Sequence, residues 1–287
     1  MKSTKDLGAW MTKQHEIGQI YAQYLEAENE KNRQERYVGK EHYYHASGAG
    51  KCSRQLYFAT VDKVEPTNPS NSTGNRVMRL GTVVHNDIQN SLIYSNTLSN
   101  NINNNINNNI TNKNITNKLE SKEFIIEGEI VIEELSVRGF FDVVLKNSLS
   151  GITLYDIKTA ASYSFTKVFN PKESYTMKHH ELQLGTYGYA IKEKYGRLDG
   201  MYLLYYNKNT SVMKYQQIPL MMVNAAYMFW VNINKQHASG LPGFEDGVSP
   251  VMNWECNYCN YFDHCKPPTG YGKYNHQHTI KGKRTNE

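Results

Sequence analysis

The chain has 287 residues and a formal net charge of +5, enough length for one large domain or two small ones. It contains no run of 18 apolar residues, and its start, Met-Lys-Ser-Thr-Lys-Asp-Leu, has no apolar core; neither a membrane span nor a secretory signal is expected, and a cytoplasmic protein is. The mild positive charge suits an anionic partner.

Residues 6 to 36 read as an amphipathic helix. Leu7, Trp10, Met11, Ile17, Ile20, Tyr21, Tyr24 and Leu25 stand at helical spacing, and the end from Glu26 to Arg36 is charged. In 42–60, Gly48 and Gly50 mark a loop, and Cys52 opens a short helix whose free N–H groups would favour its thiolate. Arg54, Tyr57 and Phe58 suit a core edge or a nucleic-acid contact equally. Residues 61–74, with Pro66 and Pro69, read as a linker loop. Asn75 to Ile93 carries Val77, Leu80, Val84, Ile88 and Leu92 at helical intervals. His85 lies beside that stripe and taken alone is an ordinary helix histidine.

From Asn96 to Asn117, 12 of 22 residues are asparagine, punctuated by Ile102, Ile106, Ile110 and Ile115. The fourfold isoleucine spacing would suit a helix. Asparagine, however, is a poor helix former and builds no core, so a disordered insertion at 96–117, dispensable for any active site, is expected.

The most informative stretch is Val137 to Ala160. Two apolar, β-branched runs flank the polar Lys-Asn-Ser-Leu-Ser-Gly, a hairpin signal led into by a strand over Phe124–Glu133. Each run of the hairpin carries one acid, Asp142 and Asp156, and the second adds Lys158. Side chains two apart in a strand share a face, so Asp156 and Lys158 point one way and Ile157 the other. Folding about Ser148–Leu149 sets Asp142 opposite Tyr155 or Asp156. Two carboxylates and an ammonium meeting on a sheet suit Mg2+ or Mn2+. Charges inside apolar strands are costly without such a partner.

Beyond the hairpin, Ser162 to Ser174 reads as a polar, aromatic connection whose Lys167 and Lys172 suit either DNA phosphates or solvent. A helix is expected over Tyr175–Tyr195, with Gln183 and Tyr187 neighbours on one face and His180 extending that line. Strands follow at Gly200–Tyr206 and Val212–Ile218, then a helix over Met221–His237 and a Gly/Pro-rich loop over 241–251. The chain has four cysteines: Cys52, and then Cys256, Cys259 and Cys265 as Cys-x2-Cys-x5-Cys. In a chain without a secretory signal this pattern suggests a four-thiolate metal site rather than disulfides. Residues 266–287 form a basic tail, expected to be flexible. No Gly-x4-Gly-Lys-Ser/Thr pattern occurs, so the chain carries no motor of that kind.

In order, the helix His85, the strand Gly139-x-x-Asp142, the strand Asp156-x-Lys158, the helix Gln183-x3-Tyr187 and the split cysteines resemble the RecB-type branch of the PD-(D/E)XK nucleases. Within it they resemble the iron–sulfur members, which include AddB-type helicase-nuclease subunits, CRISPR-adaptation nucleases and phage exonucleases. Cys52-Ser-Arg-Gln-Leu-Tyr resembles a segment seen there as well, and the likeness spans 46–265. The resemblance implies a mixed α/β, restriction-endonuclease-like core with a central mixed sheet flanked by helices. A helical segment at 1–45 would precede it, the nuclease domain would run over 46–265, and a four-cysteine cluster would join its N- and C-terminal segments.

The same resemblance implies that His85, Asp142, Asp156 and the Ile157 carbonyl are metal ligands. Lys158 would polarise the attacking water, while Gln183 and Tyr187 would orient that lysine and touch DNA. Cys52, Cys256, Cys259 and Cys265 would bind a 4Fe–4S cluster, with structural zinc as the competing occupant of four thiolates. Asp156 stands where many members have glutamate, a ligand arm shorter by one methylene. The expected activity is Mg2+- or Mn2+-dependent exonucleolytic cleavage of single strands or ends of DNA, in recombination, repair or replication. The alternatives are a non-catalytic DNA-binding scaffold of the same fold, or a nuclease subunit active only with a helicase or recombinase. An asparagine-rich insert in a small nuclease would suit a phage or other virus with an A/T-rich genome.

Overall fold

The computed structural model describes residues 16–37, 39–40, 42–68, 71–109, 122–170, 177–252, 255–268 and 271. Residues 6–15, 110–121 and 171–176 (with Lys172) and the tail from 272 lie outside that set. No helix among the described residues is long and apolar enough to cross a membrane. The chain divides into two compact units, one of 1–42, 51–80 and 241–287, the other of 43–50 and 81–240.

The second unit is a mixed α/β sheet with helices packed on it. Its strands are β1 (Tyr44–His45), β2 (Lys122–Ile132), β3 (Val137–Asn147), β4 (Gly151–Ala160), β5 (Gly200–Asn207) and β6 (Met213–Gln217). They run in the order β1-β3-β4-β5-β6, with β2 also paired to β3. The expected meander of β2, β3 and β4 is present and antiparallel. β5 joins β4 in parallel, which requires a crossover. That crossover carries two helices, over Ser162–Val168 and Lys178–Tyr195. The first replaces the expected connection: Phe165 is buried and packs, tilted, with its ring 5.0 Å from that of Phe169, an anchor that favours a turn of helix over an open loop.

The helix over Ser72–Asn109 extends well past its expected end, into the segment read as a disordered insertion. Extending an already nucleated helix adds one bond per residue fixed, so weak formers can be carried along. Asn96 has a structural task here. Its side chain donates to the Phe124 carbonyl at 2.7 Å and accepts from the Phe124 N–H at 2.9 Å, so an excision beginning at Asn96 would remove a clamp on β2.

One sheet face carries Val143, Ile157 and Leu204, against which Ile88 and Leu92 of the Ser72–Asn109 helix pack. Alternation puts Asp156 and Lys158 on the other face, the face of the Lys178–Tyr195 helix, whose Leu184 and Ile191 are fully buried. That helix carries Glu181 in its first turn and Lys192 and Lys194 in its last, matching its dipole, and ends on a left-handed Gly196. A neighbouring helix over Met222–Ala238 buries Ala226, Trp230 and Ile233. Trp230 donates to Thr186 at 2.9 Å, and Tyr44 and His237 share a buried 2.6 Å hydrogen bond.

The first unit holds helices over Glu16–Tyr37, Ser53–Thr60 and Phe262–Cys265. The segment at 51–68 is tied to the C-terminal segment by backbone bonds: Ser53 N–H to Val248 at 3.0 Å and Thr67 N–H to Asn260 at 2.8 Å.

Candidate active site

The sheet forks at the two acids. Pairing of β3 with β4 runs from Asn147↔Gly151 only as far as Val143↔Tyr155, so Asp142 and Asp156, next in register, face a gap. On the same side of β3, β1 pairs only with Val137 and Arg138. The Asp142 carboxylate fills part of the opening: its Oδ2 accepts from the Ile157 N–H at 2.6 Å, standing in for a missing ladder partner. A strand residue's N–H and C=O leave on the same side, so the Ile157 carbonyl also faces the gap.

Groups from both faces converge there. His85, from the helix on the Val143 face, brings Nδ1 to 3.5 Å from Asp142 Oδ2. On the other face Lys158 Nζ lies 2.6 Å from Asp156 Oδ2. Lys158 also donates to Gln183 Oε1 at 2.9 Å, and Gln183 Nε2 donates to the Tyr187 hydroxyl at 3.0 Å. The relation of Asp156 to Lys158 is close but poorly directed, and Asp156 Oδ2 is left as a buried oxygen without a proper hydrogen bond. Beneath this chain Gly139 leaves room that a side chain would take: a Cβ would stand 2.7 Å from that of Ala46 and 3.2 Å from the Tyr187 ring, so a neighbour would have to shift.

The electrostatics follow from burial. Asp156 is 2% exposed; burial raises its pKa, Lys158 opposes that and Asp142 adds to it, leaving it pushed up from 3.8 to about 6. Burial disfavours the charged form of His85, but the hydrogen bond and charge of Asp142 outweigh it and the net shift is upward. His180, hydrogen-bonded to Tyr205 at 3.0 Å, is held neutral by burial and by the charges of Lys158 and His179, its pKa pushed down to about 2. The carboxylates and the Ile157 carbonyl are the hard oxygen donors that Mg2+ or Mn2+ takes, with the His85 imidazole as a softer donor beside them, and a buried carboxylate oxygen without a well-directed hydrogen bond is one a cation would complete. The set is not pre-assembled. Among the described residues no three His, Cys, Asp or Glu side chains stand ready to hold a metal ion, the four cysteines included.

Gln89, which its residue type alone does not mark out, also reaches the fork. Gln89, 4% exposed, donates to Glu127 Oε1 at 3.1 Å and to the Asp142 carbonyl at 3.3 Å. Its signal was its position four after His85, hence the same helix face.

In the first unit Cys52, Cys256, Cys259 and Cys265 line one cavity with Phe58 and Phe244, and all four are free thiols. Arg54 Nε donates to Cys265 Sγ at 3.2 Å and the Tyr261 N–H to Cys259 Sγ at 3.4 Å. Arg54 also bonds the Pro242 carbonyl and stacks 4.1 Å over Phe244, so it is a core residue of this unit. The thiolate expected at Cys52 is not favoured: burial pushes the thiol up and outweighs the opposing N–H groups of Gln55 and Arg54.

The family model of the PD-(D/E)XK nuclease superfamily matches residues 43–266. A solved structure described as "Crystal structure of SSO0001" is similar with a TM-score of 0.45 and 17% identity, over 82% of this chain and 92% of that one. No curated protein matches.

Proposed function

The chain belongs to the PD-(D/E)XK nuclease superfamily, and from that premise we propose that it is a Mg2+- or Mn2+-dependent deoxyribonuclease of the RecB-type branch, cutting exonucleolytically at single strands or ends. The carrying observation is the fork, where Asp142, Asp156 and Lys158 meet with Lys158 tied to Gln183. His85, Asp142, Asp156 and the Ile157 carbonyl would hold the ion, which when bound supplies an acidified water and neutralises phosphate charge. Lys158 orients the attacking water and stabilises charge growing on the phosphate oxygens. Gln183 holds the ammonium in place and Tyr187 backs the glutamine.

The four thiols lining one cavity, split one and three along the chain, support a 4Fe–4S cluster with zinc as its rival. Its role is structural, holding the Cys52 segment to the C-terminal one. Work in DNA recombination, repair or replication fits this activity. The alternative reading is a nuclease subunit active only with a helicase or recombinase partner.

The test is cleavage of 5′- and 3′-labelled single- and double-stranded DNA with Mn2+. Lys158→Ala is expected to lower kcat by about 10²- to 10⁴-fold while still binding DNA. Wild-type protein that leaves every substrate intact, or a variant that cuts as well as wild type, would sink the proposal.

A further inference from the structure

The β2–β3 ladder has a break of its own at Asp142. Ile126↔Val143 and Gly128↔Phe141 are paired in register, but Glu127, which falls opposite Asp142, is skipped. Its backbone is left-handed, with φ 53°, a conformation uncommon outside glycine. Such outliers persist only where the surroundings hold them, and they gather at functional sites.

Strand alternation gives the direction of the Asp142 carbonyl. Ile157 N–H faces β3, so Tyr155, two residues earlier, faces β3 as well, and Val143 faces it in return. Asp142 therefore turns its main chain the other way, toward β2 and the displaced Glu127. A helix reaches into this break: the Gln89 amide bonds the Asp142 carbonyl and the Glu127 carboxylate together. One turn earlier on the same helix, His85 approaches the Asp142 side chain.

We infer that Gln89 is a positioning residue for Asp142, fixing its main chain so that its carboxylate projects into the fork. The inference rests on the nuclease reading and adds a residue to it. Without that amide the buried Asp142 loses a side-chain donor to its carbonyl, and a buried acceptor that loses a donor seeks another partner by shifting. A shift of β3 at this point moves a proposed metal ligand, while the fold as a whole is held by the pairs on either side.

The experiment compares full-length Gln89→Leu and Gln89→Met, the second keeping the length of the side chain, with Asn96→Leu. Asn96 is the control: it lies on the same helix and bonds the main chain of β2 in the same manner, away from the fork. Mn2+ affinity, kcat, KM for DNA and thermal stability are measured for each. Both Gln89 variants are expected to bind Mn2+ about 10- to 100-fold more weakly, as outer-shell changes do, with kcat lowered and KM little changed. Asn96→Leu is expected to melt earlier and bind Mn2+ as wild type does. Gln89 variants that melt earlier yet bind Mn2+ normally reduce Gln89 to a packing residue and overturn the inference. Wild-type protein that neither binds Mn2+ nor cuts DNA overturns the nuclease reading and this inference with it.

Discussion

Replacing Asp156 by asparagine is expected to abolish cleavage, lowering kcat by about 10³-fold or more, and at the same time to stabilise the metal-free protein. The loss follows from removing a proposed ligand of an ion that supplies several kcal/mol to the transition state, each 1.36 kcal/mol being about tenfold. The gain follows from burial. Asp156 is 2% exposed, and its carboxyl is pushed up from 3.8 to about 6, chiefly by burial and despite Lys158. The folded state therefore holds this proton more tightly than the unfolded chain. The stability contributed by the group is fully present below about pH 4 and is lost as pH rises through about 6. Asparagine mimics the protonated acid and suffers no such loss. Melting curves in chelator should thus show the variant and wild type close together near pH 4 and separated above pH 6. A variant less stable than wild type at pH 8 would contradict this account of the site.

The second large effect is expected at the cysteines. Cys256→Ala should lose bound metal and loosen the unit that carries 51–80 and 241–287, because the binding free energy of a structural metal is folding free energy, about 10–16 kcal/mol for zinc in zinc-finger peptides. Without metal Cys256 and Cys259 favour the protonated thiol. Burial, then the neighbouring thiols, push Cys256 up to about 12, and burial pushes Cys259 up to about 11. Metal loading must therefore release protons and strengthen as pH rises. Analysis of protein purified without oxygen separates the occupants. Iron with sulfide, and a brown colour, agree with the cluster; zinc in colourless protein overturns it. A Cys256→Ala protein that melts like wild type, with unchanged metal content, would make the cysteines ordinary core residues.

Much of the site was legible because its signal is local. Asp142, Asp156 and Lys158 stand out as charges within β-branched runs, and period-two alternation assigned Asp156 and Lys158 to one face. The Gln183–Tyr187 link was legible as a four-residue spacing on a helix. What remained hidden depends on the rest of the fold. β1 is two residues long and exists because Val137 and Arg138 offer it an edge, which no periodicity announces. The helix over Ser162–Val168 is anchored by Phe165, whose burial cannot be told from composition. Cys52 was assigned the wrong electrostatic sign because its helix terminus is visible in sequence and its burial is not. Gln89 and the left-handed Glu127 act through a ladder break between β2 and β3, a defect that exists only once the two strands are in register.

The Ile157 amide carries a consequence of the fork that can be read one hydrogen at a time. Its neighbours in the sheet are shielded from solvent exchange by carbonyls of adjacent strands, which no ligand can take away. Ile157 is shielded by the Asp142 carboxylate, which any cation drawing on that oxygen must share. Hydrogen–deuterium exchange at this residue is therefore a built-in gauge of the site. Adding Mn2+ should quicken exchange at Ile157 while Val143 and Tyr155, inside the paired ladder, keep their pace. Unequal exchange at these positions would report ion binding without any substrate being cut.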